Sequence, residues 1–119
     1  MFYKLRQMAA SVGGDFETVD AEKAAQMAEK PETFILDVRT PGEYAEGHLK
    51  NSLLIPHTEV QENASKLPAE KEKPILCYCA AGVRSAKACK VLNGLGYKKV
   101  FNLDGGINAW LEAGKPVVR

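Results

Sequence analysis

Pro74-Ile75-Leu76-Cys77-Tyr78 is a short apolar run, and Cys79-Ala80-Ala81-Gly82-Val83-Arg84 follows it directly. The first segment reads as a buried strand, because it is short, apolar and opened by a proline. Downstream, Ala86, Ala88, Cys89, Val91, Leu92 and Leu95 recur at helical spacing, and Asn93 and Gly94 form a stop signal. The stretch is therefore strand, loop, helix, with Cys79 at the C-terminal end of the strand and facing the N-terminus of the helix. Backbone N–H groups converge at such a place, and the helix dipole adds partial positive charge, so an anion is favoured there. The thiolate is the reactive form of cysteine, and this setting lowers its pKa from a free value of about 8.5. Cys79 is the leading candidate nucleophile.

Outward from that stretch, short apolar runs alternate with amphipathic ones, which predicts an α/β domain with a mostly parallel sheet. Phe16 to Val19 reads as a brief strand, and Asp20 can cap a helix over Ala21 to Glu29. Phe34-Ile35-Leu36 is a strand ending at Asp37-Val38-Arg39. Thr40-Pro41-Gly42-Glu43 is a capping box with proline at the first helical position. Ser52 to Ile55 is a third strand, stopped by Pro56, and Thr58-Glu59-Val60-Gln61 is a second capping box that predicts a helix fading before Pro68. Lys99 to Leu103 is a fifth strand, and Gly106 to Ala113 a last helix ended by Gly114 and Pro116. Ligand crevices of open parallel sheets lie beyond the C-terminal strand ends, which puts Cys79, Asp37 and Asp104 on one rim.

At 119 residues the chain makes one domain, expected over residues 16–119, with residues 1–15 as an N-terminal extension for which a loose helix is one reading. The net charge of +1 lacks the basic excess of a nucleic-acid or anionic-membrane partner. No stretch has the length of a membrane span or the pattern of a secretory signal, so a cytoplasmic location is expected. A periplasmic or organellar site stays open if a targeting segment was removed. Three cysteines without a pairing pattern favour free thiols. A monomer or weak homodimer is expected, without cofactor or metal, since His48 and His57 lack zinc-type spacing.

Four motifs in order resemble the rhodanese family of sulfurtransferase domains. Asp37-Val38-Arg39, then Glu43-Tyr44 with Gly47-His48-Leu49 and Asn51-Ser52, resembles its first two motifs. Tyr78 to Ser85 looks like its active-site loop. Leu103-Asp104-Gly105-Gly106, then Trp110 and Gly114-Lys115-Pro116-Val117, looks like its closing motif. The resemblance runs from about Phe16 to Val118 and leaves Met1–Asp15 without a counterpart. Cys77 stands where an apolar residue is common. It implies a three-layer α/β domain, a central parallel five-stranded sheet with helices on both faces. It also implies transfer of a sulfane sulfur through a Cys79 persulfide, cradled by Ala80, Ala81, Gly82, Val83 and Arg84. Read from the residues themselves, Asp37 and Arg39 are expected to hold the rim as an ion pair, and His48 to fix the turn after the Glu43 helix by a backbone hydrogen bond.

The donor expected is thiosulfate or a low-molecular-weight persulfide. The acceptor expected is cyanide in assay, and glutathione, thioredoxin or a sulfur-relay protein in the cell. A helix terminus contributes up to ~2 kcal/mol, and lowering a pKa by one takes about 1.4 kcal/mol. The loop can thus ionise much of the cysteine without a histidine base. Arg84 supplies a cation or braces the loop. The rival chemistries are a non-catalytic binding module and a cysteine phosphatase or arsenate reductase. Phosphatase loops hold five residues between cysteine and arginine, whereas Ala80, Ala81, Gly82 and Val83 make four here. Cys77 and Cys89 read as packing residues.

Overall fold

The computed structural model describes residues 15–119. The expected N-terminal extension, apart from Asp15, lies outside the described residues. Five strands form one sheet: β1 (Glu17–Val19), β2 (Phe34–Asp37), β3 (Ser52–Leu54), β4 (Ile75–Tyr78) and β5 (Val100–Leu103). Their order is β1-β5-β4-β2-β3, and every pairing is parallel. The expected α/β architecture is what the chain adopts, with β4, the most apolar run, at the centre of the sheet. Among the described residues four α-helices accompany them: α1 (Ala21–Ala28), α2 (Pro41–Glu46), α3 (Val83–Gly94) and α4 (Gly106–Glu112).

Side chains of a strand alternate between the two faces of a sheet, and each face here has its own core. Ile75 and Cys77 point with Cys79 toward one face, where Leu36, Val38, Ala88, Cys89 and Leu92 join them. Leu76 and Tyr78 point to the other, against Ala24, Met27, Ile107 and Trp110. This alternation puts α3 on the Cys79 face and α1 and α4 on the opposite one. Residues 75 to 79 are at most 1% exposed, as a central strand buried on both faces requires.

Local chemistry explains the ends of these elements. The Asp20 carboxylate accepts from the Lys23 amide at 2.9 Å and caps α1. Thr40 and Glu43 form the reciprocal capping box of α2. At the end of α3 the left-handed residue is Gly96, with φ of 102°, while Gly94 still belongs to the helix. The Tyr97 amide bonds back to the Leu92 carbonyl at 3.1 Å, so the turn closes two residues later than Gly94 suggests.

One expectation fails. Thr58 caps no helix, and residues 56–67 form two short 3₁₀ segments, His57–Glu59 and Gln61–Lys66. The Asn63 amide side chain donates to the Glu59 carbonyl at 2.9 Å, and the Asn63 backbone is not helical. A side chain that bonds nearby carbonyls competes with the helical ladder, and here it wins. Val60 and Leu67, 1% and 7% exposed, are the anchors that this tighter path delivers to the core. Among the described residues no helix is long and apolar enough to cross a membrane.

Candidate active site

Cys79 follows β4 immediately, and its sulfur is surrounded by donors from the loop and from the start of α3. The Gly82 amide donates to Sγ at 3.1 Å, the Ser85 amide at 3.3 Å and the Ser85 hydroxyl at 3.3 Å. Burial alone would push the Cys79 thiol up. The Ser85 hydroxyl and the amides of Ser85, Gly82 and Ala81 outweigh that, and hold it below the ordinary thiol value. Cys77, two residues earlier in the middle of β4, has the opposite fate. Burial, followed by the neighbouring Cys89 thiol, pushes it well up, so Cys77 stays protonated. Two cysteines on one strand face thus differ because only one reaches the helix N-terminus.

The loop is shaped from three sides. Gly82 sits in the left-handed region, with φ of 101°, which turns the chain into α3. Its carbonyl accepts from the Asn102 Nδ2 at 3.2 Å, and the Asn102 Oδ1 lies 2.6 Å from the Ser85 hydroxyl, whose single proton serves either Oδ1 or the Cys79 sulfur at any moment. Asn102 lies on β5 in register with Cys77, so the sheet itself braces the loop. From beyond, the Ile107 and Asn108 amides at the start of α4 donate to the Cys79 and Ala80 carbonyls at 2.9 and 3.1 Å. With those carbonyls held outward, the amides of the following peptides are left to face the sulfur.

Arg84 does not point a free charge at the site. Its two terminal nitrogens each donate to one oxygen of Glu43, both at 2.9 Å, in a bidentate pair that ties the loop to the first turn of α2. The Arg84 hydrogen bonds, with help from Thr40, lower the Glu43 carboxyl to about 2. The guanidinium braces the loop, the second of the two roles open to it in the sequence.

Asp37, Arg39 and His48 are not at the sulfur. Asp37 is fully buried and accepts from the Arg39 guanidinium and, at 2.6 Å, from the Tyr78 hydroxyl. Arg39 also donates to the Gly47 carbonyl at 2.7 Å, which fastens the end of α2 to β2. Asp37 ends β2 in register with Tyr78, at the same C-terminal edge of the sheet as Cys79, and forms the ion pair with Arg39, but its carboxylate turns to the α1 and α4 face, away from the sulfur. Asp104 is exposed in the turn before α4. The His48 Nδ1 bonds the Tyr44 carbonyl at 2.9 Å, its ring stacks on Tyr44 and its backbone pairs with Val118. Among the described residues no cluster of His, Cys, Asp or Glu could hold a metal ion.

Asn102 is the residue that sequence reasoning missed, a polar residue inside an apolar strand, an anomaly that could have flagged it; Ser85 closes the motif from Tyr78 to Ser85 but takes no role in that reading. Replacing Ser85 with alanine is expected to raise the Cys79 pKa, since a hydrogen bond to a charged acceptor contributes about 1.5–3 kcal/mol. The pH dependence of iodoacetamide alkylation reads this directly: the midpoint should move up, and a midpoint at or below wild type refutes the role.

The comparisons with known proteins converge on one family and fold. The family described as rhodanese-like domain matches residues 20–113. A sulfurtransferase of Allochromatium vinosum is 37% identical over 84% of this chain and 92% of its own length. A rhodanese-related protein of Thermoplasma volcanium superposes with a TM-score of 0.76 at 36% identity, over 87% of this chain and 98% of that one. A tRNA uridine(34) hydroxylase of Photorhabdus laumondii is 33% identical over 96% of this chain, which spans only 37% of that relative. With a parallel sheet in the order β1-β5-β4-β2-β3 and a cysteine cradled where β4 meets α3, the chain belongs to the rhodanese family.

Proposed function

We propose that this protein is a sulfurtransferase that carries a sulfane sulfur on Cys79. The observation that carries the reading is the convergence of the Gly82 and Ser85 amides on the Cys79 sulfur at the N-terminus of α3, with the Ser85 hydroxyl beside them. Cys79–S⁻ attacks the outer sulfur of thiosulfate or of a low-molecular-weight persulfide. A new S–S bond forms, the donor's S–S bond breaks, and its electron pair leaves on sulfite or on a thiolate. A thiophilic acceptor then takes the outer sulfur: cyanide in assay, or glutathione, thioredoxin or a sulfur-relay protein. This is a double displacement with the enzyme persulfide as its intermediate.

Small loop residues suit the persulfide. Ala80 and Gly82 are half-buried while Ala81 and Val83 are exposed, so the loop itself is the cover over the sulfur. Cys79 is 1% exposed, and a donor therefore has to present a slender terminal sulfur rather than a bulky group. The Allochromatium vinosum relative, named a sulfurtransferase, supports the same chemistry.

Mass spectrometry tests the reading. After incubation with thiosulfate or glutathione persulfide, the protein is expected to gain about 32 Da, one sulfur, and to lose it to cyanide. No gain with either donor would leave a binding module, and release of nitrophenol from an aryl phosphate would point to a phosphatase. Either result overturns the assignment.

A further inference from the structure

We propose that Glu43 is a specificity-determining residue: by neutralising Arg84 it turns the Cys79 site away from the thiosulfate dianion and toward an organic persulfide as sulfur donor. The inference rests on the sulfur-transfer reading above and narrows its donor class.

Arg84 is the charged side chain of a loop whose other members, Ala80, Ala81, Gly82 and Val83, carry none. Both of its terminal nitrogens are committed to Glu43, one to each carboxylate oxygen. Glu43 is not a loose surface partner. The Thr40 amide and hydroxyl donate to its Oε1 at 2.9 and 3.1 Å, so the capping box of α2 sets the carboxylate's direction before Arg84 meets it. The pair is about one-third exposed on each side, 30% for Arg84 and 34% for Glu43, and it carries no net charge. The other ionisable group acting on the guanidinium is the Cys79 sulfur, which favours its charge.

The two donors make different demands on that cation. With thiosulfate, Cys79–S⁻ meets a dianion, and sulfite leaves as a dianion, so three negative charges gather at the loop. With a persulfide reacting in its protonated form R–S–SH, the same attack gives Cys79–S–SH and R–S⁻, and one negative charge gathers at the reacting sulfurs. The loop amides can hold one negative charge at the helix N-terminus. For three, an uncompensated guanidinium would matter, and Glu43 cancels the one present.

Glutamine at position 43 keeps the capping box but removes the charge. In steady-state assays with cyanide as acceptor, wild type is expected to show a higher kcat/KM with glutathione persulfide than with thiosulfate. Glu43→Gln is expected to raise the thiosulfate-to-persulfide ratio about tenfold, with the gain shrinking at high salt. The ratio cancels any change in Cys79 ionisation, which acts on both donors alike. In an Arg84→Met background the same change should leave the ratio where it was. An unchanged ratio in Glu43→Gln, or both donors falling together, overturns the proposal and leaves sulfur transfer standing. Loss of turnover with every donor in wild type overturns sulfur transfer itself, and the proposal with it.

Discussion

Cys79→Ser is expected to bring sulfur transfer to background with every donor while the fold survives. The serine hydroxyl does not ionise near neutral pH, and the thiolate is the species that attacks sulfur. The smaller oxygen can still accept from the Gly82 and Ser85 amides that now hold Sγ at 3.1 and 3.3 Å. The cost to stability should therefore stay within about 1–2 kcal/mol, the range for disturbing a hydrogen-bonded buried group. Activity and a urea midpoint measured on the same preparation check both halves. Substantial transfer in the variant sinks the role of Cys79, while an unfolded variant would mean that the thiol was packing rather than chemistry.

Gly106→Ala is expected to have the largest effect away from the sulfur. Gly106 lies in the left-handed region, φ of 59°, and a Cβ there would run into the carbonyl oxygens of Cys79 and Ala80. Those two carbonyls are the ones that the Ile107 and Asn108 amides hold. An alanine has to push the active loop off α4, which releases the orientation of the amides around Cys79. The expected destabilisation is about 3–5 kcal/mol, in the range reserved for backbone strain plus a core clash. Gly114→Ala is the control: its φ is 78°, yet an added Cβ meets nothing within 4 Å. It should show only the left-handed penalty of about 1–2 kcal/mol. Equal urea midpoints for the two variants would refute the close approach of α4 to the loop. A folded Gly106→Ala protein should also have slower transfer than Gly114→Ala.

Much of this was legible because it is local. The capping box at Thr40 and Glu43, the caps at Asp20 and the apolar runs of β2, β4 and β5 are signals within a few residues, and each appears where its pattern places it. The failure at Thr58 has the same root. A capping box is a local preference, and the Asn63 side chain together with the burial of Val60 and Leu67 overrode it. Asp37 stands at the strand end as read, but the direction of its side chain was not legible. A carboxylate at a strand end can turn to either face of the sheet, and the partner that decided the matter, the Tyr78 hydroxyl, is 41 residues away.

From the amino-acid order alone came the strand–loop–helix around Cys79 and the motif series that named its family, since both are written in neighbouring residues. Three-dimensional packing alone decided what surrounds the sulfur. Asn102 reaches Ser85 across 17 residues, Glu43 reaches Arg84 across 41, and Gly106 brings α4 against the loop. Hydrogen bonds and close contacts depend on distance in space, and separation along the chain says nothing about that until the sheet has set its strands side by side.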